Sequence, residues 1–427
     1  MSERKIGYRD VLKQTEYMKI ILAALINRFG DSIDAIASSW IVYELTGNAV
    51  WSAIIFGVNK VPTVLITPLA GAWVEGRKKK NIMVVTDIMR AICVAFIATG
   101  YLLEFLQPWM LVLTTFTIST VEAFRGPAST ALTPKVLKKE YYSRGMALMS
   151  TTSSIVELIG TAMAAGIIAL IGTAGAIYID MVTFLLSALI IMFVNVKEEK
   201  QEKVKFDGKE YCQTLKAGFQ YVAKVPIICF LVVVCIFLNA ILVPLNSLQA
   251  PMAEEILGAG AEMLSVVGIA ATVGMLLGSI VYPKMEELLG GRKVLVLASI
   301  AIAVFYIGIP VCKPFYINKM FAYCFAASVT ILLGCATSVA SMYMNVVLVR
   351  EVDESYLARV ASITSAASSA AVPLVSFVVS AVVATVSTVP MFILSGLCAL
   401  IAGVYFLFTK HMNEKKEEIE LAVEAVS

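Results

Sequence analysis

Histidine is almost absent. His411, close to the end of the chain, is the only one. A zinc site built on imidazoles and a Ser-His-Asp triad are both excluded on inventory. No CxxC pair occurs among the eight cysteines Cys93, Cys212, Cys229, Cys235, Cys312, Cys324, Cys335 and Cys398. Most lie in apolar runs, so they read as small buried hydrophobes rather than a disulfide framework or a metal cluster. There is no GxSxG-type nucleophile turn. These absences speak against an enzyme, and no metal, cofactor or nucleic-acid partner is expected. Charge is also scarce. Only 15% of residues are Asp, Glu, Lys or Arg, against about 25% in soluble domains.

What fills the chain instead is apolar. Of 427 residues 59% are hydrophobic, and mean hydropathy is +0.84. Apolar runs near 20 residues recur, each long enough at about 1.5 Å per residue to cross about 30 Å of hydrocarbon. The pattern predicts twelve helices over 17–45, 50–75, 81–103, 108–128, 144–171, 174–196, 226–250, 262–286, 292–311, 319–348, 358–385 and 389–409. The fold class expected is all-α and polytopic, two pseudo-symmetric six-helix bundles. The domains are 1–196, a polar linker 197–225, 226–409, and a tail 410–427. The linker is expected to hold a short amphipathic helix on the membrane surface.

The net charge of +3 matters less than its placement. The arm Met1–Lys19 is charged and has no apolar core, so it does not read as a signal peptide. Basic residues gather in that arm, in Arg77–Lys80, in Lys135–Arg144, and in the linker with its seven lysines, while the opposite-side loops hold Lys313 and Lys319. By the positive-inside rule both termini and the linker are cytoplasmic.

An internal repeat supports two related halves. Shifted by 215 residues, Lys135 meets Arg350, Tyr141 meets Tyr356, Arg144 meets Arg359, and Ser150, Ser153 and Ser154 meet Ser365, Ser368 and Ser369. Such repeats are common in secondary transporters. "GTAMAAG" and "SAASSAAVP" are dense in small residues, which let helix backbones approach in lipid.

The charges inside the apolar runs are the candidate site. A charge at the bilayer centre costs about 2.5–3.5 kcal/mol on insertion scales. Asp31 and Asp34 lie three residues apart, on one side of helix one, with Arg28 as the local partner of Asp31. Lys60 in helix two lies about 15 Å from the outer surface, as Asp34 does. A Lys60–Asp34 ion pair is expected, with Asp31 as the alternative partner. The pair could be static, or an acid could gain and lose a proton as its surroundings change. Glu157, at mid-depth in helix five, is a second candidate for a proton or a cationic substrate. Asp87 and Arg90 open helix three, and Glu122 and Arg125 close helix four. They form either an inner gate or ordinary interfacial pairs. Asp180 reads as a structural cap or outer-rim group. In the second half, Asn239, Asn246, Tyr343 and Asn345 could bind substrate or satisfy interhelical contacts.

The loop "GAWVEGRKKK" resembles the signature of the major facilitator superfamily, with Gly71, Glu75 and the cluster Arg77–Lys80 in the matching places. Gly76 stands where a basic residue is usual. "NRFGDSIDAIASSWIVYELTGNA", "TPLAGAWVEGRKKKNIMVVTDIMRA", "FRGPASTALTPKVL" and "YIDMVTFLLSALII" resemble the macrolide-efflux type of drug:proton antiporters. "GTAMAAG" lacks the proline of the antiporter signature. The resemblance implies alternating access, with Gly71, Glu75 and Arg77 locking one state against helix eleven and its Arg359. It places helices one, four, seven and ten around the cavity. It implies a monomer in the plasma membrane, exporting an amphipathic small molecule against protons. Uptake, facilitated diffusion or lipid translocation is the rival within transport; a receptor or a membrane enzyme is the rival outside it.

The orientation is testable by cysteine accessibility. Single cysteines at positions 208 and 411 are expected to be labelled from the cytoplasmic side alone. Labelling of either from outside would overturn the topology.

Overall fold

The computed structural model describes residues 8–75, 77–196, 226–352 and 354–408. The linker 197–225, with its expected surface helix, and the tail 410–427 lie outside the described residues. So do the side chains of Glu75 and Arg359. All regular structure among the described residues is helical. The chain divides into two compact units, residues 1–47 with 58–206, and residues 48–57 with 207–427.

The helices are α1 (Tyr8–Leu12), α2 (Thr15–Thr46), α3 (Ala49–Leu65), α4 (Thr67–Glu75), α5 (Lys79–Leu102), α6 (Pro108–Val136) and α7 (Tyr142–Met192), then α8 (Pro226–Ser247), α9 (Ala261–Leu289), α10 (Gly291–Val311), α11 (Lys319–Glu351), α12 (Glu354–Val386) and α13 (Thr388–Phe408). Among the described residues eight helices are long and apolar enough to cross a membrane. Helix α2, at 32 residues, is long enough but carries Arg28, Asp31 and Asp34 in its middle.

Two departures from the sequence pattern, and one break that falls where it was expected, have local causes. The helix expected over 50–75 breaks at Ile66 into α3 and α4. Pro62 and Pro68 flank the break, and each removes a backbone N–H. The helices expected over 144–171 and 174–196 meet at Gly172, where φ is 76° and ψ 169° break the helical path, and they form the two arms of α7. That backbone region is essentially open to glycine alone. The second arm of α7 stops at Met192 rather than 196 because side chains cap it. Lys19 Nζ donates to the Phe193 carbonyl and Lys80 Nζ to the Val194 carbonyl, both at 2.9 Å, and the Asn195 N–H donates to Glu16 Oε2 at 2.6 Å. Cations suit the carbonyl end of a helix. The Lys19 ammonium, bonded to Glu16 at 2.9 Å, holds that carboxyl below its usual range, and the Asn195 N–H adds to this.

In the first unit a buried core joins Ile20 and Ala23 of α2, Val74 of α4, Met83 of α5, Leu132 of α6 and Ile191 of α7. Helix α2 lies along both arms of α7, drawn close by two glycines. A Cβ at Gly160 would lie 3.1 Å from the Phe29 carbonyl and 2.8 Å from Ser32 Cβ. A Cβ at Gly30 would lie 2.3 Å from Asp180 Oδ1 and 2.0 Å from Thr183 Oγ1.

The second unit packs by small residues and hydroxyls. Helices α9 and α11 meet backbone to backbone. A Cβ at Gly274 would lie 2.2 Å from the Ile331 carbonyl, one at Gly278 2.5 Å from the Cys335 carbonyl, and one at Gly334 2.3 Å from the Ala271 carbonyl. Close approach of this kind drives helix association where water is absent. Around Pro244 of α8, the Tyr306 hydroxyl of α10 donates to the Ile241 carbonyl (2.5 Å) and accepts from the Leu245 N–H (3.3 Å). It supplies polar partners where the proline weakens the backbone ladder. Ser376 of α12 donates to the Ala53 carbonyl at 2.6 Å, and Ser380 to the Val50 carbonyl at 3.3 Å, which ties 48–57 into this unit.

These glycines differ sharply from Gly71, where a Cβ would meet nothing within 4 Å. Gly274→Val or Gly334→Val is expected to destabilise the protein by about 1–3 kcal/mol through overpacking. Gly71→Ala is expected to stay within about 0.5 kcal/mol. Thermal melting in lipid nanodiscs reads both, and an unchanged melting point for Gly274→Val would refute the close packing.

Candidate functional site

The chemistry of the first unit sits on one helix and its neighbours. Asp31 accepts from Arg90 Nη2 of α5 at 2.8 Å. The Arg90 guanidinium lies 4.0 Å above the Phe184 ring of α7 and is 94% buried, with Nε lacking a hydrogen-bond partner. Asp34, one turn on, accepts from Ser38 Oγ at 2.8 Å. The charges that act on Asp34 are Asp31 and Arg90. Asp180 of α7 is buried beside Gly30, accepts from Thr183 Oγ1 at 3.1 Å, and feels Asp34, Asp31 and Arg90. Of these three carboxylates Asp31 alone contacts the guanidinium, while Asp34 and Asp180 interact with it at longer range.

A second cluster lies one turn nearer the N-terminal ends of α2 and α5. Asp87 of α5 is fully buried and paired with Arg125 of α6. Ser187 Oγ of α7 donates to Asp87 at 2.7 Å. Asn27 of α2 closes the ring. With its carboxamide oxygen toward α6 it accepts from Arg125 Nη2 at 2.7 Å, and its amide donates to the Thr183 carbonyl at 3.2 Å. The opposite orientation offers only two 3.4 Å contacts to Asp87, so the first satisfies more of the buried polar atoms.

The third pair differs in kind. Arg28 of α2 and Glu157 of α7 are in contact, with side chains 44% and 43% exposed. By comparison Arg125 and Asp87 are 15% and 0% exposed, and Arg90 and Asp31 are 7% and 31%.

These contacts correct the expected pairing. Asp34 does not pair with Lys60, nor Asp31 with Arg28. Helix α2 lies along α7, and it turns its acids toward α5 and the second arm of α7. The acid acting on Lys60 is Glu122, which is exposed on α6. Asp180, expected as a structural cap or outer-rim group, is buried against α2 beside Gly30. Arg90 joins Asp31 rather than forming a local pair with Asp87. Asn27, Ser187, Thr183, Gly30 and Phe184 were not expected at the site. A polar stripe at 180, 183 and 187 of α7, and another at 27, 31 and 34 of α2, were the signals available.

Elsewhere the picture is plainer. Arg77 is exposed and stacks over the Trp73 ring at 3.6 Å. Tyr343 is buried, in a position where a Cβ at Gly291 would strike its ring, so it packs at the head of α10. Asn239, Asn246 and Asn345 are exposed, and Asn239 donates to the Cys235 carbonyl at 2.9 Å. A groove of about 640 Å³ on the first unit is lined by Leu25, Ile26, Phe29, Val156, Tyr178 and Thr183 among others. Its lining is almost wholly apolar and lies on a different face of α2 from Arg28. No cluster of metal-ligating side chains occurs among the described residues.

Comparison with known proteins fixes the family. Residues 10–425 match the family of transmembrane secretion effectors. An uncharacterised MFS-type transporter of Bacillus subtilis, YvqJ, is 23% identical over 281 residues, 65% of this chain and 66% of YvqJ, just under two thirds of its length. Macrolide efflux protein A of Streptococcus pyogenes is 21% identical over 321 residues, 75% of this chain and 78% of that protein. The crystal structure of the nucleoside transporter NupG superimposes with a TM-score of 0.73 at 11% identity, covering 94% of this chain and all of NupG. At that identity the likeness speaks for the fold. With the family match covering nearly the whole chain, the protein belongs to the transmembrane secretion effector family of major facilitator transporters, and is a multi-pass membrane transporter rather than an enzyme.

Proposed function

We propose that this protein exports an amphipathic small molecule by alternating access, driven by proton influx, as a monomer in the plasma membrane with both termini in the cytoplasm. The observation that carries the reading is the cluster of Asp31, Asp34 and Asp180 around Arg90. Three carboxylates and one guanidinium leave an excess of negative charge in a poorly hydrated region. Neighbouring carboxylates can share a proton. Asp31 and Asp34 are both partly exposed while Asp180 is buried, so the two acids of α2 are the members through which the cluster exchanges its proton. Arg90 anchors the cluster. Export is favoured over uptake by the similarity to macrolide efflux protein A. The buried Asp87–Arg125–Ser187–Asn27 ring and Arg77 with Glu75 serve as the cytoplasmic lock, with Arg359 as the matching basic residue of helix eleven.

Two experiments test this reading. In sealed vesicles Asp34→Asn is expected to reduce pH-gradient-driven accumulation to the level of empty vesicles, while expression stays normal. The idea is wrong if Asp31→Asn, Asp34→Asn and Asp180→Asn, singly and together, all keep full gradient-driven transport. Glu75→Gln is expected to slow turnover by a similar factor for every substrate, because the loop lies outside the membrane core. A defect confined to one substrate would assign it to recognition instead.

A further inference from the structure

The Arg28–Glu157 pair is not used by the proton cluster or by the lock. It is also poorly explained as a fastener. Helices α2 and α7 are already held at backbone distance by Gly160 on Phe29 and Ser32. An ion pair this exposed adds little to such packing. Yet its depth makes it expensive. Arg28 is thirteen residues along α2 from Thr15 and Glu157 fifteen along α7 from Tyr142, which places both about 20 Å along their helices. Half-exposed charges at that depth need water or a polar ligand around them.

The face they occupy fits the second need. On α2, Ala24, Arg28, Asp31 and Ala35 share one side by helical spacing, and Ser154 and Thr161 flank Glu157 on α7. The apolar groove along Leu25, Ile26 and Phe29 runs down another side of α2. Hydrocarbon therefore has its own surface, and the charged pair has a polar one with two small alanines beside it.

We infer that Arg28 and Glu157 form a recognition site for a zwitterionic substrate, its anionic group on the Arg28 guanidinium and its ammonium on the Glu157 carboxylate. The inference rests on the transport reading above and specifies its substrate class. The argument is one of charge balance. A neutral molecule leaves the pair closed and gains nothing from it. A cation alone takes Glu157 and releases Arg28, and an anion alone takes Arg28 and releases Glu157. Either way a charge is left unpaired at depth. A molecule with both signs replaces one internal pair by two external ones. The planar guanidinium presents a two-pronged donor edge that suits a carboxylate or a phosphate.

The test uses a matched set of probes with one apolar body. A piperazinyl quinolone carboxylic acid carries both charges, its ethyl ester only the cation, and its N-acetyl derivative only the anion. Binding to the full-length protein in nanodiscs is measured by calorimetry at one pH with no gradient. The parent acid is expected to bind at least about tenfold more tightly than either derivative, the scale of one charge-assisted bond. Arg28→Gln and Glu157→Gln should each erase that preference. The double variant Arg28→Glu with Glu157→Arg keeps the ion pair and should restore the preference to within about threefold. Where a single variant fails to fold, the wild-type probe series and the charge swap decide. Equal binding of the ester or the N-acetyl compound overturns the site, as does a folded single variant that keeps the preference, or no saturable binding of the parent acid. Failure of proton coupling would appear only in gradient-driven flux and would leave this equilibrium binding intact.

Discussion

Everything in the first unit depends on one constraint, that an ionised side chain inside hydrocarbon must find a partner within the protein. Helix α2 carries Asn27, Arg28, Asp31 and Asp34 in barely two turns, so it cannot sit against lipid on all sides. It meets the constraint by pairing outward to three other segments: Asp31 to Arg90 of α5, Arg28 to Glu157 in the first arm of α7, and Asn27 to the Asp87–Arg125 pair between α5 and α6. Those pairings need close approach. Gly30 and Gly160 provide it, because a Cβ at either would strike the neighbouring helix. Position of the charges and choice of the glycines are thus one requirement seen twice.

The second unit solves a different problem with different residues. Its helices are held by glycines facing carbonyls between α9 and α11, and by hydroxyls that satisfy backbone groups at Pro244 and along 48–57. Both devices work without charge, so nothing in them titrates over the physiological range. The carboxylates of α9, Glu262, Glu286 and Glu287, lie in its first and last turns, whereas the first unit carries Asp31 and Asp34 in the middle of α2.

Much of this was legible in the sequence, and what was not has a physical reason. The apolar periods marked the helices, and the acids of helix one marked the site. Their partners were misread because depth was used to choose between them. Lys60 and Asp34 lie at equal depth, but depth is blind to which way a helix is turned, and α2 turns toward α7. Asp180 was taken for a rim group by its place near the start of a helix. The bend at Gly172 and the contact at Gly30 carry it inward instead. Asn27 and Ser187 are neutral, and a neutral side chain in an apolar run gives no warning that it completes a charged ring. The break at Ile66 was signalled by Pro62 and Pro68, but prolines within membrane helices are common enough to pass as kinks.

The three pairs differ in exposure, and that difference divides their work. A pair sealed from water, as Asp87 with Arg125 is, can open only if its helices part, so it reports and resists movement of the backbone. A pair with one member at the surface, as Asp31 is against Arg90, can exchange a proton without moving a helix. A pair with both members half-exposed can exchange partners altogether. Arg28 and Asp31 lie one turn apart on α2, while Asp87 and Arg125 lie on α5 and α6 and meet α2 through Asn27, so α2 touches all three grades of access. A zwitterion that takes both members of the exposed pair keeps each charge partnered, so Arg28 stays engaged one turn from Asp31 and Arg90 remains the partner of that carboxylate.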